Sequence, residues 1–84
     1  MREKLYGITI DQFEARLAAQ GGVCAICRGL PAPGRQFHVD HDHTTGAIRG
    51  ILCQKCNGGL GAFGDTAAGL RVALAYLELD IVNF

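Results

Sequence analysis

Apolar and polar residues follow two different periods along this chain, and each period predicts a different kind of element. Apolar residues recur at helical spacing over residues 9 to 20, which predicts a first helix with these inward positions: Ile10, Phe13, Leu17 and Ala18. Thr9 is suited to cap this helix, with Gln12 three residues later as its partner in a capping box. Gly21-Gly22 is expected to end it, because glycine readily adopts the left-handed conformation that follows many helices.

Two short extended segments follow a loop that is rich in proline and glycine. "QFHVD" (36–40) and "AIRGILC" (47–53) predict two strands, and "HDHTTG" joins them as a hairpin loop longer than two residues. All three histidines of the chain lie in this predicted hairpin. We therefore expect the chemistry of the protein to be concentrated there.

Two helices are predicted after the hairpin. "QKCNGGLGAFG" (54–64) predicts a short helix that its glycines weaken, and "DTAAGLRVALAYLEL" (65–79) predicts a longer one. Asp65 or Thr66 is suited to cap the second of these helices, because the side-chain oxygen of either residue can accept a hydrogen bond from the first turn.

The last helix carries an apolar stripe on one face, formed by Leu70, Leu74 and Leu77. We expect this stripe to pack on the rest of the chain. The alternative is a homodimer through the C-terminal helix, since Ile81, Val82 and Phe84 make the end of the chain unusually apolar.

The size of the chain predicts one domain, residues 1–84, with a small core. A chain this short buries roughly 60–65% of the surface that its unfolded form exposes, so a covalent or metal staple is expected. No apolar run approaches the ~18 residues of a membrane span. The first residues, "MREKLYGITI", lack the apolar core of a signal peptide, which favours a reducing cytoplasm.

The charges of the chain balance, with 8 lysines and arginines against 8 aspartates and glutamates. This balance weighs against a protein that holds nucleic acid by bulk charge alone, since such proteins carry a large positive excess. Any affinity for DNA must come from arginines placed locally.

The four cysteines form two C-x-x-C pairs, with 25 residues between the pairs: Cys24, Cys27, Cys53 and Cys56. Two such pairs in a cytoplasmic protein predict a tetrahedral zinc site. The alternatives are two disulfides, a redox C-x-x-C pair or an iron–sulfur cluster. A closed zinc site of four cysteines is structural and leaves no open position for a substrate, so the chemistry must lie elsewhere.

The second polar cluster is "HVDHDH", residues 38 to 43. Adjacent residues of a strand point to opposite faces, so Asp40 and His41 are suited to different tasks. Asp40 can hold a hard cation such as Mg²⁺, while His41 stays free of metal and takes a proton from water. The alternatives are a second transition-metal site and a polar hairpin loop. Asn57 can supply a second oxygen to the cation, or it can cap a helix or turn.

These motifs together resemble one family of nucleases. "HVDHDH", then "GAIRGILCQKCNGGLG", with "GVCAIC" before them, resembles the recombination endonuclease VII family of phage-type nucleases. The resemblance reaches back to "YGITIDQFEARLAAQGGVC" and extends from Tyr6 to about Phe63. Members belong to the HNH, or His-Me finger, nucleases. The resemblance implies an α+β fold: a small, zinc-stapled ββα-metal core with an N-terminal and a C-terminal helix.

The resemblance also implies a site and an activity. It implies that Asp40 and Asn57 bind a catalytic cation, Mg²⁺ or Mn²⁺. It also implies that the activity is hydrolysis of DNA, with His41 as the general base. Three further residues are implied to support the phosphate: His43 at the scissile phosphate, His38 as a supporting member and Arg49 as a contact to the phosphate backbone. The alternative for Arg49 is an exposed strand arginine.

The chain departs from the junction-resolving members in two respects. Only one helix follows the core, and Leu60 stands where some members have an acidic residue three positions after the asparagine. The resemblance therefore favours general DNA nicking or cutting, in the cytoplasm of a phage host or bacterial cell. Two other functions remain as alternatives: a non-catalytic zinc module that binds DNA or protein, and a small redox protein.

Overall fold

The computed structural model describes residues 4–5 and 7–79 and has an α+β architecture. The elements follow in this order: β1 Lys4–Leu5, β2 Ile8–Thr9, α1 Ile10–Ala19, β3 His38–His41, β4 Ile48–Leu52, α2 Gln54–Ala62 and α3 Ala67–Leu77. β1 pairs with β2 and β3 pairs with β4, both antiparallel. The predicted order of helix, hairpin and two helices is therefore confirmed, and the small hairpin β1–β2 was not predicted.

The first helix begins and ends where its local signals predict. The Thr9 hydroxyl accepts a hydrogen bond from the Gln12 amide at 3.1 Å, and the Gln12 side chain accepts one from the Thr9 amide at 2.8 Å. At the other end, Gly21 and Gly22 have φ of 79° and 78°. The Gly22 amide donates to the Leu17 carbonyl at 2.8 Å, so the last carbonyls of the helix are satisfied.

The core lies on one face of the β3–β4 hairpin, between α1 and the N-terminal hairpin. Its buried apolar centre consists of Ile8, Val39 and Ile51. Phe13 and Leu17 of α1 pack against this centre. A second cluster, on the side of α2, consists of Leu52 and two of the cysteines. The hairpin thus joins a conventional apolar core to the cysteine cluster.

Gln20, the residue that caps the end of α1, binds the edge of β4. Its side-chain amide donates to the carbonyl of Ile51 at 2.9 Å and accepts from the amide of Ile51 at 2.9 Å. The same amide group donates to the Val23 carbonyl at 2.8 Å. Because both backbone groups of a fully buried residue are paired in this way, Gln20 takes the place of a neighbouring strand. No sequence pattern around Gln20 predicts this role, because the contact joins residues 31 positions apart.

The end of α2 is defined by Gly64, which has a φ of 86°. The Gly64 amide donates to the Gly61 carbonyl at 3.1 Å, and the Asp65 amide donates to the Leu60 carbonyl at 2.8 Å. These two bonds form a Schellman motif, which fixes the position of Asp65 immediately after the helix. The helix ends at residue 62, slightly before the predicted end at residue 64.

Of the two predicted caps for the last helix, Thr66 is the one used. Its hydroxyl accepts a hydrogen bond from the Gly69 amide at 3.1 Å. A Cβ atom on Gly69 would collide with the carbonyl of Phe63. The start of α3 is therefore fitted closely to the end of α2, and only glycine is accommodated at this contact.

The apolar stripe of α3 does not pack on the rest of the described chain. Leu70, Leu74 and Leu77 are 37%, 52% and 76% exposed, and no residue of α3 is buried. The expected packing of this stripe is therefore wrong for the described part of the chain, because α3 makes no extensive contact with another described element. Ile81, Val82 and Phe84 lie outside the described residues. None of the helices described here has the length and apolarity that crossing a bilayer requires.

Candidate active site and metal centre

The four cysteines converge on one point. The Sγ atoms of Cys24, Cys27, Cys53 and Cys56 all lie within 4.8 Å of one another. The distance between the Sγ atoms of Cys27 and Cys53 is 3.8 Å. Two ligands of a tetrahedral zinc ion lie about 3.8 Å apart when each Zn–S bond is about 2.3 Å. All four thiols are free, so the cluster has the donor set and the spacing for a metal ion and does not consist of two disulfides.

Each cysteine pair is held by the element beside it. The Cys24 amide donates to the Gly29 carbonyl at 2.9 Å, which closes the turn that carries the first pair. The Ala25 amide donates to the Ile51 carbonyl at 3.1 Å and fastens this turn to β4. In the second pair, Cys53 is the N-cap of α2 and Cys56 lies in its first turn. The cluster therefore ties the turn after α1 to the junction of β4 and α2.

Hydrogen bonds divide the charge unequally among the four sulfurs. Burial of the Cys24 thiol raises its pKa, but donors from Cys53, Cys27 and Ile26 and from the Cys56 thiol outweigh this effect and lower the pKa to about 6. The pKa of Cys56 rises to about 12, because its charged form loses hydration on burial and the neighbouring thiols favour its protonated form. A cluster that favours the thiolate of Cys24 and opposes that of Cys56 is suited to a cation that takes the place of the protons.

A bulge lies in the middle of the polar hairpin. Asp40 is paired with Gly50, whereas His41 is paired with Ile48, so Arg49 is an extra residue in β4. A bulge of this kind changes the direction of the bulged side chain. It explains why Arg49 reaches Asp40 on the opposite strand.

The Asp40 carboxylate is buried and paired with Arg49. Asp40 is 6% exposed, and its Oδ2 and Oδ1 accept hydrogen bonds from Nε and Nη2 of Arg49 at 2.7 and 3.0 Å. This two-point contact satisfies a buried charge, which would otherwise be costly. The hydrogen bonds that Arg49 donates to Asp40, and then to Asp65, raise the pKa of the Arg49 guanidinium above its ordinary value.

Asp65 is the second carboxylate on Arg49. Arg49 Nη2 donates to Asp65 Oδ1 at 2.7 Å, and Nη1 donates to the Asp65 carbonyl at 3.3 Å. On its other side, Asp65 Oδ2 lies 3.3 Å from Nε2 of His43. Asp65 was predicted only as a possible cap of the last helix. No local motif marks this contact, since it joins the hairpin to the turn between α2 and α3.

His41 lies at the end of β3 and is half-buried. The turn between β1 and β2 approaches its ring: a Cβ atom on Gly7 would lie 3.4 Å from Nε2 of His41. Gly7 has a φ of 91°, a conformation that residues with a side chain rarely adopt. The N-terminal hairpin is therefore placed directly against the predicted general base.

The loop after His41 is organised by Asp42. Its Oδ1 accepts hydrogen bonds from the amides of Thr44 and Thr45 at 2.8 and 3.0 Å. Its backbone carbonyl accepts a bond from Gly46 at 2.7 Å. The backbone donors of Thr45 and Thr44 lower the pKa of the Asp42 carboxyl below its ordinary value. Asp42 therefore shapes the loop that presents His43, whose side chain is 76% exposed.

The other predicted site residues lie on neighbouring elements. Asn57 is in α2, which packs against both β3 and β4, and His38 begins β3; both are half-buried. Among the described residues, the cysteines form the one group of three or more His, Cys, Asp or Glu side chains near enough to share an ion. The polar hairpin therefore does not form the second transition-metal site that was considered as an alternative.

The guanidinium of Arg49 is already engaged by groups of the protein. Arg49 was expected to contact the DNA backbone, but its guanidinium is held by the carboxylates of Asp40 and Asp65 and by a carbonyl. A phosphate contact by Arg49 stays a prediction, and it requires the guanidinium to give up part of this set. The alternative of a simple exposed strand arginine does not describe it either.

Comparison with known proteins identifies relatives for most of the chain. The sequence profile of the family described as recombination endonuclease VII matches residues 1–79. The chain is 42% identical over 74 residues to the Gene 59 protein of Mycobacterium phage D29, a match that covers 87% of this chain and 45% of that relative. It is 46% identical over 52 residues to the Gene 59 protein of Mycobacterium phage L5, covering 62% and 32%. The chain thus spans less than half the length of these relatives.

Proposed function

The chain belongs to the recombination endonuclease VII family, and from this premise we propose that it is a metal-dependent DNA endonuclease of the HNH, or His-Me finger, type. One observation carries the proposal: the hairpin that holds Asp40 and His41 is followed directly by α2, and the cysteine cluster joins the two. A hairpin and a helix stapled in this way support the proposal, because the resemblance to such nucleases implies a ββα unit.

The cysteine cluster is proposed to bind Zn²⁺ as a structural ion. Four thiolates fill a tetrahedral coordination shell, so the ion has no open position for a substrate. Its task is to fix the turn after α1 against the start of α2. The position of Asn57, directly after Cys56, then depends on the zinc site.

His41 is proposed as the general base. An imidazole changes its protonation state near neutral pH, which suits the removal of a proton from an attacking water. Gly7 supports this role, because its lack of a side chain leaves the backbone of the N-terminal turn close to His41 without covering the ring with a methyl group.

Asp40 and Asn57 are proposed to hold a catalytic Mg²⁺ or Mn²⁺ ion. Each carboxylate oxygen has two lone pairs, and Arg49 occupies one on each oxygen of Asp40, so that a further lone pair on each can face a cation. Carboxylate and amide oxygens are the hard donors that such a cation prefers. When bound, the cation supplies charge stabilisation for the phosphate and the leaving oxygen.

The remaining predicted residues are proposed to act on the phosphate. His43 is exposed on the hairpin loop and is suited to approach the scissile phosphate of a DNA strand. His38 is proposed to support the site from the other end of β3. The substrate is proposed to be DNA in the cytoplasm of a bacterial cell that hosts a phage, since both named relatives are phage proteins.

A homodimer through α3 is proposed as the working assembly. The support is the exposed apolar surface of this helix, where Val72, Tyr76 and Leu77 are 72%, 72% and 76% exposed. Exposed apolar patches of this kind are typical of interaction sites. Two active sites in one dimer would allow both DNA strands to be cut.

The proposal is tested by cleavage of supercoiled plasmid with zinc-loaded protein. Nicked or linear plasmid is expected with Mg²⁺ or Mn²⁺, and no cleavage is expected with chelator. Adding Mg²⁺ to the chelated reaction should restore the activity, whereas adding Zn²⁺ should not. Asp40→Asn should cut much more slowly at equal zinc content. Folded, zinc-bound protein that leaves the plasmid intact in every cation would contradict the proposal.

A non-catalytic zinc module that binds DNA or protein is the second candidate. The observation that favours it is the two-point contact of Arg49 with Asp40, which a purely structural residue pair would also make. This candidate predicts binding without cleavage and no effect of Mg²⁺ in the same plasmid assay.

A further inference from the structure

Asp65 completes a row of charged groups that begins at the predicted cation ligand. Asp40 contacts Arg49 on one side, and Arg49 contacts Asp65 on the other, each through a hydrogen bond of 2.7 Å. Two carboxylates and one guanidinium leave one unbalanced negative charge in this row. Without Asp65, Arg49 would neutralise Asp40 completely.

The position of Asp65 is imposed by the backbone. Its amide completes the Schellman motif at the end of α2, and its φ of 61° is a left-handed conformation that few residues other than glycine, asparagine and aspartate adopt. Its side chain is only 12% exposed, although it carries a charge. The turn therefore holds a carboxylate at a fixed place against Arg49.

One oxygen of this carboxylate has no hydrogen-bond partner. Asp65 Oδ2 is buried and unsatisfied, although Nε2 of His43 lies 3.3 Å away, within the range of an ion pair but outside hydrogen-bond alignment. A buried oxygen without a partner is costly, and the ion pair with Arg49 is the contact that favours a carboxylate here over an amide. Its negative charge is the property that an amide lacks.

We propose that Asp65 is a positioning residue of the candidate cation site: it balances the charge of Arg49, so that Asp40 keeps a negative charge for a divalent cation. The inference rests on the proposed role of Asp40 as a cation ligand. Arg49 then orients the Asp40 carboxylate through two hydrogen bonds, while Asp65 removes the repulsion that an uncompensated guanidinium would exert on the cation.

The test is the affinity of zinc-loaded protein for Mn²⁺, measured by electron paramagnetic resonance without DNA. Asp65→Asn keeps the shape of the side chain and tolerates the left-handed backbone, so it isolates the charge. We expect it to weaken Mn²⁺ binding by about three- to tenfold. Glu14→Gln, which removes an equal charge from an exposed position on α1, should leave the affinity unchanged.

A second variant tests whether Asp65 acts through Arg49. Arg49→Gln removes the guanidinium and the two hydrogen bonds that orient Asp40, so its own Mn²⁺ affinity is the reference. In this background Asp65→Asn should weaken Mn²⁺ binding less than it does in the wild type, because no guanidinium charge is left to balance, and an equal loss in both backgrounds would overturn the inference. Melting temperatures of both variants report whether the fold is retained. A structural role for Asp65 would lower the melting temperature without changing the affinity for Mn²⁺.

The outcomes separate this inference from the proposed function. An unchanged Mn²⁺ affinity in Asp65→Asn would overturn the inference. It would also be overturned if Asp40→Asn removed no Mn²⁺ site. Protein that binds Mn²⁺ through Asp40 and loses affinity in Asp65→Asn, yet leaves plasmid intact, would contradict the nuclease proposal and leave the role of Asp65 standing.

Discussion

The Asp40 carboxylate is buried, and a buried carboxylate is stable only when its charge is paired. Arg49 provides the pair, and the bulge in β4 aims it there. The sequence predicted both residues as members of the site, but it predicted different partners for them. A contact across two strands depends on their register, and a bulge shifts that register by one residue without a local signal in the sequence.

Gln20 is the residue whose loss should destabilise the fold most among the uncharged polar side chains. Gln20→Ala removes two hydrogen bonds to the Ile51 backbone and leaves the Ile51 amide without its acceptor, although the Ala25 amide still donates to the Ile51 carbonyl; it is expected to lower the free energy of unfolding by about 2 kcal/mol. Urea denaturation in the presence of zinc measures this change. Gln36→Ala, at an exposed position of the loop before β3, is the matched control and should change the stability little. Equal stability of the two variants would contradict the strand-like role of Gln20.

Asp42 is expected to be a structural residue of the hairpin loop. Asp42→Ala should lower the melting temperature at pH 7, because the amides of Thr44 and Thr45 lose their acceptor. Asp42→Asn should recover part of the loss, since an amide oxygen can accept the same bonds. The pKa of Asp42 is lowered in the folded protein. The stabilisation from Asp42 is therefore complete at pH values above the ordinary pKa of an aspartate, and it is lost as the pH falls through the lowered pKa of the folded state. A melting temperature unaffected by Asp42→Ala at pH 7 would exclude this role.

At the scale of elements, the structure joins a hairpin and a helix through the cysteine cluster. The start and end of α1 could be predicted because a capping box and a glycine pair act over neighbouring residues. The cysteine cluster could be predicted because two C-x-x-C pairs are specific for it. β1 and β2 could not be predicted, since strands of two residues are too short to show an alternation of apolar and polar side chains. The role of Asp65 depends on where α2 ends relative to β4, which no local pattern fixes.

The cysteine cluster is expected to be necessary for the hairpin and α2 to stay together. Cys53→Ser should lose zinc and much of its helical circular dichroism, because zinc bound by four cysteines contributes on the order of 10 kcal/mol to folding. Zinc content by mass spectrometry and the circular dichroism of the variant measure this result. Wild-type protein treated with a strong chelator is the control and should behave in the same way. A folded, zinc-free Cys53→Ser protein would contradict a structural metal site.

At the scale of the whole molecule, α3 leaves the apolar side chains of Leu74 and Leu77 exposed within the described part of the chain. Periodicity predicted both the helix and its apolar stripe, and the structure confirms the helix. Periodicity cannot tell whether an apolar face packs on its own chain or on another one, because the pattern is the same in both cases. The close contact at Gly69 sets the direction in which α3 leaves α2.

Dimer formation through α3 is tested by introducing charge into its apolar surface. The double variant Leu74→Glu and Leu77→Glu is expected to be a monomer under conditions in which the wild type is a dimer, since a buried interface does not tolerate unpaired carboxylates. Sedimentation velocity measures the difference. Leu30→Glu, at a position that is 70% exposed in the loop between α1 and β3, is the matched control. A wild type that stays monomeric at high concentration would exclude the proposed dimer.

The central claim is that His41 is the base of a metal-dependent nuclease, and its most direct test is the rate of plasmid cleavage by His41→Ala in Mg²⁺. The rate is expected to fall by about 10²- to 10⁴-fold, the usual contribution of a general base, with zinc content and melting temperature unchanged. Cleavage by a folded, zinc-bound His41→Ala protein at the wild-type rate would contradict the account.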